Sequence, residues 1–277
     1  MKNLKDKVAV VTGAGSGIGR ALAMELHREG ARLALADIDR DGLDQTYQLL
    51  RSTEAQPVAN LYELDVADRA GVSAFAEAVR NDFGAVDLLI NNAGVSSSGL
   101  VRELTYETLE WTININLWGV IYVTKAFLPL LDARPEAGIV NISSVYGLLG
   151  IPGQAAYCAS KFAVRGFTEA LRQEYHGGRI AITVVFPGGI RTNIARNSRT
   201  DHPLDPETIE KGIRRMESSF KTSASAAARA IVDGIKTKAT RVLIGKDARK
   251  IDYLARFNPG NYDRIVAGFI RKKTAGT

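Results

Sequence analysis

Short runs of apolar and β-branched residues alternate along the chain with longer segments whose apolar residues recur every three or four positions. The short runs predict strands and the longer segments predict helices. Because the order strand, helix, strand is kept for most of the sequence, we expect a parallel sheet covered by helices on both faces. The predicted strands are residues 7–12, 32–37, 57–64, 86–91, 138–143, 180–186 and 241–245. The clearest helices are residues 17–29, 41–51, 69–83, 105–131 and 155–176.

This pattern predicts an α/β fold with a doubly wound, seven-stranded parallel sheet. A length of 277 residues, with no repeat or linker, indicates one domain over residues 1–277. Residues 191–222 differ because they are polar, contain Pro203 and Pro206, and have a weak apolar period. We interpret them as a flap that covers the substrate and contains one or two short helices.

The C-terminal extension, residues 246–277, has a second amphipathic segment at 262–273. Ile265, Val266, Phe269 and Ile270 lie on roughly one face of it. We expect this face to pack on the body of the protein or on another subunit, in preference to a membrane.

Composition narrows the classes of function. The chain is 45% hydrophobic and 24% charged, as in an ordinary globular protein with a buried core. The net charge is +6, but the basic residues are scattered, so we expect a solvated surface that attracts an anionic dinucleotide and no nucleic-acid partner. Residues 1–6 show no signal region, and no apolar run approaches the roughly 18 residues that span a bilayer. A cytoplasmic protein is expected.

The cysteine and histidine content bears on the compartment of the protein and on metal binding. The single cysteine, Cys158, excludes an internal disulfide and is compatible with a reducing compartment. His27, His176 and His202 are far apart in the sequence and no cysteine pair accompanies them, so we expect no metal site.

A glycine-rich turn, Gly13-x-x-x-Gly17-Ile18-Gly19, joins the first strand to the first helix. Glycines there permit positive φ angles and let a pyrophosphate approach the N–H groups of a helix N-terminus. An ordinary tight turn could look similar, but Asp37 ends the second strand about 20 residues later, where an acid bonds the adenosine ribose. The alternative role for Asp37 is helix capping. Its charge would repel the 2′-phosphate of NADP and favours NAD, although the nearby Arg40 leaves NADP open.

A second motif lies in the predicted helix 155–176. Tyr157 and Lys161 are four residues apart and therefore share a helix face, and Ser144 precedes Tyr157 by thirteen positions. We expect the Lys161 ammonium to favour the Tyr157 phenolate and to lower a pKa that is ordinarily near ~10. Tyr157 would then carry a proton near neutral pH.

These motifs occur in order with Asn91-Asn92-Ala93-Gly94 and Pro187-Gly188, and over residues 5–245 the chain resembles the classical short-chain dehydrogenase/reductases. The resemblance implies a Rossmann-type fold and an NAD(P)-dependent oxidoreductase that interconverts a secondary alcohol and a ketone. It also implies a homodimer or homotetramer, with subunit contacts through the helices at 105–131 and 155–176.

The resemblance also implies how the cofactor is held. Gly13, Ser16, Gly17, Ile18 and Gly19 would surround the pyrophosphate and Asp37 would bind the adenosine ribose. Asp65 would accept from the adenine amino group beside the Val66 backbone, and Asn91, Ala93 and Gly94 would line the floor, whereas Asn92 would be structural. Ile190 and Thr192 would hold the nicotinamide carboxamide, and Lys161 would bond the nicotinamide ribose next to Tyr157.

The implied catalytic residues are Asn116, Ser144, Tyr157 and Lys161. Tyr157 is the general acid and base, Ser144 polarises the substrate oxygen, and Asn116 holds a water in a proton relay that reaches Lys161. Ser143 and Asn114 are the neighbouring alternatives for Ser144 and Asn116.

Substrate identity is the least determined feature of the sequence. Candidate pocket residues are largely apolar and favour an uncharged or weakly polar alcohol or ketone; they are Val95, Tyr146, Leu149, Gln154, Gly188 and the flap from Ile194 onward. Arg191, Arg196 and Arg199 leave an acidic substrate open. Three alternative functions also remain: an epimerase or dehydratase of the extended branch, a non-catalytic dinucleotide-binding sensor or scaffold, and an NADP-preferring carbonyl reductase.

Overall fold

The computed structural model describes residues 1–53, 56–201, 205–218 and 220–265, and it contains the predicted seven-stranded sheet. All neighbouring strands are parallel, in the order β7-β6-β5-β4-β1-β2-β3. The strands are β1 Val8–Thr12, β2 Arg32–Asp37, β3 Ala59–Glu63, β4 Leu88–Asn91, β5 Ala137–Ile142, β6 Ile180–Pro187 and β7 Arg241–Ile244. The order reverses between β1 and β4, which is where doubly wound sheets form their binding crevice.

Helices cover both faces of this sheet. They are α1 Gly17–Arg28, α2 Arg40–Arg51, α3 Arg69–Phe83, α4 Tyr106–Ile113, α5 Gly119–Asp132, α6 Ala155–Glu174, α7 Pro206–Ser218, α8 Ala224–Lys236 and α9 Lys246–Phe257. One core lies under α1, α2 and α8 and includes Leu22 and Leu33, while the other lies under α3, α5 and α6 and includes Phe75 and Phe127. Both cores meet at the sheet, so all five residues of β1 are buried.

The predicted helix 105–131 is interrupted. A π-helical turn, Asn114–Trp118, separates α4 from α5. The continuous stretch Tyr106–Asp132 is long and apolar enough to cross a membrane by length and composition, which the sequence-based expectation of no such run did not anticipate. In the fold, Val123, Phe127 and Leu131 on this stretch are buried in the second core, as in the core helix of a globular domain.

The flap is more structured than its weak apolar period predicts. Besides α7, it forms two short parallel pairings, Ser97–Ser98 with Arg199–Thr200 and Ile190–Arg191 with Thr222–Ser223. The Asp201 carboxylate accepts a hydrogen bond from the Thr105 N–H at 2.9 Å, at the start of α4. The two ends of the flap therefore pair with each other, and its middle is tied to the body of the protein.

The C-terminal extension contains α9, which packs against β7 and contacts Leu148 and Phe186 through Ile251. Residues 266–277 lie outside the described residues, so the predicted packing of the segment 262–273 remains a prediction. His202 and Pro203 also lie outside them.

Candidate active site

The turn between β1 and α1 leaves a concave backbone surface that side chains would fill. Gly13 and Gly17 have φ angles of +67° and +52°, which favour glycine. A Cβ on Gly13 would lie 2.8 Å from the Ala93 Cα, and a Cβ on Gly19 would overlap the Gly13 carbonyl oxygen. Ser16 is the N-cap residue of α1 and makes no side-chain capping bond, and Ile18 packs partly against the first core. This cradle fits a pyrophosphate at the N-terminus of α1.

Asp37 lies beside this cradle at the end of β2. Its Oδ2 accepts a hydrogen bond from the Gly15 N–H at 2.8 Å, and its Oδ1 accepts one from the Asp39 N–H at 3.0 Å. Asp39, not Asp37, caps α2 by accepting from the Gly42 N–H. The capping alternative for Asp37 is therefore wrong. Arg40 pairs with Asp44 at 3.2 Å within α2, so its charge is already engaged.

Asp65 and Val66 follow β3 at the same edge of the sheet. The Asp65 side chain is exposed and its Oδ1 accepts from the Ala67 N–H at 2.8 Å. Val66 is buried, and a Cβ on Gly119 would lie 2.7 Å from its Cγ2. Close packing of α5 thus fixes the backbone next to Asp65.

The segment after β4 is tied to the glycine turn. Asn92 Nδ2 donates to the carbonyl oxygens of Thr12 and Gly13 at 3.0 and 3.1 Å, and the Asn92 and Ala93 N–H groups both donate to Thr12 Oγ1 at 3.1 Å. Asn92 has the structural role predicted for it. Thr12 has a similar structural role. It was not predicted from the sequence, because a threonine that ends a strand carries no distinctive signal.

Asn91 was predicted to line the cofactor floor, but its side chain turns into the core. Its Nδ2 donates to Thr124 Oγ1 at 2.9 Å and to Asn141 Oδ1 at 2.8 Å, and Asn141 donates on to Thr168. Among the described residues the Asn91 Oδ1 atom has no hydrogen-bond partner. The side chain of Asn91 therefore joins β4 to β5 and α5, and any contact of its backbone with a cofactor stays a prediction.

Ser143 and Ser144 follow β5 and have different environments. Ser143 is buried and its hydroxyl donates to the Lys161 carbonyl oxygen at 2.8 Å, so it satisfies a backbone group. Ser144 Oγ accepts from the Tyr146 N–H at 3.2 Å, and the Ser144 hydroxyl lies near enough to the Tyr157 phenol to act on its pKa. The structure thus brings Ser144, and not Ser143, to the Tyr157 phenol.

Tyr157 and Lys161 share one face of α6, as their spacing predicts. Both are nearly fully buried, and the Lys161 Nζ lies 5.6 Å from the centre of the Tyr157 ring. The same Nζ donates to the Ile142 carbonyl oxygen at 3.1 Å, at the end of β5. Lys161 is therefore positioned by the sheet as well as by its own helix.

The predicted lowering of the Tyr157 pKa by Lys161 does not describe this arrangement. Burial raises the pKa of Tyr157 to about 12, and the nearby Ser144 hydroxyl opposes this rise only in part. Burial lowers the pKa of Lys161 to about 8, because the ammonium is taken out of water. Since the lysine has the lower pKa of the two, the first proton that this buried pair loses as pH rises leaves near pH 8.

Asn116 lies at the centre of the π-helical turn and is completely buried. Its Oδ1 accepts from the Val95 N–H at 2.8 Å, and its Nδ2 donates to the Val95 carbonyl and to Ser160 Oγ at 2.9 and 3.0 Å. A Cβ on Gly94 would lie 3.0 Å from Asn116 Oδ1 and 3.3 Å from Lys161 Nζ, so both groups border the same small space. Asn114 is exposed, which favours Asn116 for the predicted role.

Ile190 and Thr192 close the crevice from the opposite side. Ile190 is buried in the first core, and the Thr192 methyl group lies over the glycine turn, 3.2 Å from the place of a Cβ on Gly17. The segment after β6 and the turn after β1 therefore face each other. An extended dinucleotide that lies on the glycine turn would run between them.

The predicted substrate-pocket residues are mostly apolar. Leu149 is buried, Val95, Tyr146 and Gln154 are half-buried, and the Tyr146 ring meets the Tyr157 ring edge-on at 6.0 Å. Burial raises the pKa of Tyr146, and Cys158 and Asp247 add to this rise. Burial also raises the pKa of the Cys158 thiol, which fits a packing role.

Two of the three flap arginines already contact other side chains. Arg196 pairs with Glu217 at 2.7 Å, and the Arg199 guanidinium lies 3.9 Å from the centre of the Trp111 ring. Arg191 is exposed. Arg196 and Arg199, two of the three arginines that would favour an acidic substrate, therefore make contacts that hold the flap.

Arg20 and Asp247 are site residues that the sequence did not reveal. Arg20 follows Gly19, and its guanidinium donates to the Gly15 and Gly42 carbonyl oxygens, so it joins the glycine turn to α2. Asp247 accepts from the Gly189 N–H, beside Ile190. A basic residue directly after the glycines is a sequence signal that could have identified Arg20. Asp247 has no such signal, because it lies on a helix far along the chain. The described residues contain no group of three or more His, Cys, Asp or Glu that could hold a metal ion.

Comparison with known proteins agrees with this arrangement. The sequence profile of the family described as short chain dehydrogenase matches residues 7–203. SadH of Mycobacterium tuberculosis, a proposed oxidoreductase, is 45% identical over 274 residues, which cover 98% of each chain. The chain belongs to the short-chain dehydrogenase/reductase family.

Solved structures give the same result. A short chain dehydrogenase/reductase from Burkholderia phymatum, in complex with NAD, matches with a TM-score of 0.85 and 31% identity over 95% of this chain and 96% of that one. An alcohol dehydrogenase from the archaeon Thermococcus sibiricus, complexed with 5-hydroxy-NADP, matches with a TM-score of 0.72 and 28% identity over 86% and 94%. This protein is therefore an oxidoreductase of that family with its doubly wound fold.

Proposed function

We propose that this protein interconverts a secondary alcohol and a ketone with NAD(H), and that Tyr157 is the general acid and base. The observation that carries the proposal is the buried Tyr157 phenol, which has Ser144 beside it and Lys161 on the same helix face. A lone tyrosine and lysine on a helix would be unremarkable. Here they meet a serine at the carboxyl edge of a parallel sheet, beside a glycine cradle.

Each of these side chains has a distinct task. The Ser144 hydroxyl donates to the substrate oxygen and polarises it, and the Tyr157 hydroxyl gives or takes the proton of that oxygen. Lys161 passes this proton on, because its lowered pKa lets it lose a proton near neutral pH. Asn116 lies beside Lys161, and we propose that it holds the proton relay between Lys161 and the solvent.

The cofactor would be held by the residues around the crevice. The glycine cradle would bind the pyrophosphate, Asp37 the adenosine ribose, Asp65 and Val66 the adenine, and Ile190 and Thr192 the carboxamide. When bound, the nicotinamide supplies or accepts the hydride. The Burkholderia phymatum neighbour is a complex with NAD, which supports the class of cofactor.

NAD is preferred over NADP in this proposal. The Asp37 carboxylate occupies the end of β2 where a 2′-phosphate would approach, and the exposed Ile38 beside it offers no cation. Arg40 is paired with Asp44. An NADP-preferring carbonyl reductase is the second candidate, because the Thermococcus sibiricus neighbour holds an NADP derivative.

The substrate is proposed to be an uncharged or weakly polar alcohol or ketone. Leu149, Val95 and the Tyr146 ring present mostly carbon to the Tyr157 phenol, and Arg196 and Arg199 are engaged in the flap. Carboxylate substrates are therefore disfavoured, since a buried charge requires a partner.

We also propose that the protein forms a homodimer or homotetramer in the cytoplasm. Trp118, the last residue of the π-helical turn, and Phe162 on α6 keep 44% and 39% of their surface exposed, an unusual exposure for aromatic side chains on core helices. A second subunit would cover them. The buried, single Cys158 fits a reducing compartment.

A screen of secondary alcohols and ketones, followed through NADH absorbance, tests the proposed function. Uncharged compounds should be turned over with NAD(H), and the same compounds bearing a carboxylate should be turned over more slowly. Binding of NADH without turnover of any alcohol or ketone would favour the alternative of a dinucleotide-binding sensor. Turnover that requires a sugar nucleotide would favour the epimerase or dehydratase class.

A further inference from the structure

The start of α9 reaches the turn that follows β6. Asp247, the second residue of α9, places its Oδ2 at 2.7 Å from the backbone nitrogen of Gly189 and accepts its hydrogen bond. This contact joins residues 58 positions apart in the sequence. It brings a charged side chain of the C-terminal extension against the turn that joins β6 to Ile190.

The glycines around Asp247 make this approach possible. A Cβ on Gly188 or on Gly245 would overlap the Asp247 carboxylate. On the other side of the turn, a Cβ on Gly189 would lie 2.7 Å from Phe220 Cδ1, in the flap. The Gly188–Gly189 turn is therefore held between a carboxylate and an aromatic ring, with no room for a side chain of its own.

Two backbone hydrogen bonds complete the support of the turn. The Gly188 N–H donates to the Ile244 carbonyl at 2.9 Å, and the Thr222 N–H donates to the Gly189 carbonyl at 3.5 Å. Asp247 supplies the one side-chain acceptor for the turn among the described contacts, and hydrogen bonds to a charged acceptor are stronger than those between neutral groups. The position of the turn thus depends on α9.

The turn leads directly into Ile190 and Thr192, which the proposed function assigns to the nicotinamide carboxamide. We propose that Asp247 is a positioning residue for this end of the cofactor, and that α9 is part of the active site through it. The inference rests on the proposed function, because it needs a nicotinamide to lie against Ile190 and Thr192. It predicts an effect on the nicotinamide end only, since the adenosine end is held by residues on the far side of the crevice.

The test compares two ligands on the full chain. NADH contains the nicotinamide end, whereas ADP-ribose ends at the second ribose and lacks the nicotinamide. In D247A the dissociation constant of NADH should rise about tenfold, and that of ADP-ribose should change by less than about twofold. D247N should have a smaller effect on NADH, because its amide oxygen can still accept the Gly189 N–H.

Asp252 offers a matched control on the same helix. Its carboxylate pairs with Arg241 and Arg256, at 2.7 and 3.0 Å, and seats α9 without touching the turn. D252N should lower the melting temperature and leave the ratio of NADH to ADP-ribose affinity unchanged. If D252N changes that ratio as D247A does, Asp247 acts only by seating α9 and the inference is overturned.

The other possible outcomes distinguish failure of this inference from failure of the proposed function. Equal losses for both ligands in D247A, or no loss for either, would contradict the inference. If D247A does not fold, G188A decides, because its Cβ displaces the carboxylate without removing it and should produce the same split. Failure of the wild-type protein to bind NADH would contradict the proposed function itself, and a bound NADH without the split contradicts this inference alone.

Discussion

The Asp37 carboxylate accepts a hydrogen bond from the Gly15 N–H at 2.8 Å, so the end of β2 holds a negative charge against the glycine turn. The contact is made by one carboxylate oxygen. The other accepts from Asp39, and the nearby cations Arg20 and Arg40 are bonded to the turn and to Asp44. A 2′-phosphate at this place would meet a carboxylate with no free cation beside it in the described residues.

The first prediction concerns cofactor preference. Wild-type protein should use NAD at least about tenfold more efficiently than NADP in kcat/KM, and D37S combined with I38R should reverse the preference, because the double variant replaces a repelling charge with an attracting one. D39N is the control, since it removes the neighbouring carboxylate that caps α2. A tenfold NADP preference of the wild type would show that Asp37 does not select the cofactor.

The second prediction distinguishes the two asparagines of the interrupted helix. Asn116→Ala leaves the Val95 N–H and carbonyl without their partner in a buried place, so we expect a loss of about 2–4 kcal/mol in the free energy of unfolding and at least about a tenfold loss in kcat. Asn114→Ala changes an exposed side chain and should alter both quantities little. Denaturant titration and steady-state rates measure them. Equal effects of the two substitutions would refute the choice of Asn116.

The third prediction follows from the pKa values of the buried pair. Because burial lowers the pKa of Lys161 to about 8, raising the pH through 8 removes a proton from the Tyr157 and Lys161 pair. Alcohol oxidation needs a proton acceptor and should accelerate through this range, whereas ketone reduction needs a donor and should slow. The two pH profiles of kcat/KM should cross. Profiles that are flat between pH 7 and 9 in both directions would count against the relay.

The same pair predicts how stability depends on pH in the cofactor-free protein. The pKa of Lys161 is lower in the folded state than its ordinary 10.5, so between pH 8 and 10 the unfolded chain binds more protons at this lysine, and Lys161 contributes a rise in the free energy of unfolding with pH. Cys158, whose pKa burial raises from 9.0, contributes in the opposite direction from about pH 9 upward. Burial raises the Tyr157 pKa from 10.0 to about 12, so above pH 10 this group opposes the rise. K161M should lose the increase, which is at most about 1.4 kcal/mol per pH unit. A wild-type curve with the same slope as that of K161M between pH 8 and 10 would contradict the assignment.

Much of this fold can be predicted from the sequence, because strand and helix periods are local. The seven strands and their order of connection follow from apolar runs that must be buried on both faces, and the common helix face of Tyr157 and Lys161 follows from a spacing of four. The resemblance to the family also implies the structural role of Asn92, although its partners Thr12 and Gly13 lie 80 and 79 positions away in the sequence.

The remainder depends on contacts between distant segments. The sequence predicts a lowered pKa for Tyr157 because it places a lysine nearby, but the burial that raises the pKa arises from packing against β5 and Tyr146. The sequence predicts that Asn91 lines the cofactor floor. Its side chain instead turns into the core, where its partners Thr124 and Asn141 lie on two separate elements. Asp247 and the stack of Arg199 on Trp111 likewise join parts of the chain that no local pattern connects.

The substitution Tyr157→Phe tests the central claim most directly. It removes one hydroxyl from α6 and keeps the ring, so NADH should bind within about twofold of wild type while kcat falls by about a thousandfold or more. Tyr175→Phe, the same change at the C-terminal end of this helix where the hydroxyl bonds Asp132, should leave both unchanged. A Tyr157→Phe protein that binds NADH and retains more than a tenth of wild-type kcat would contradict the account of Tyr157 as the general acid and base.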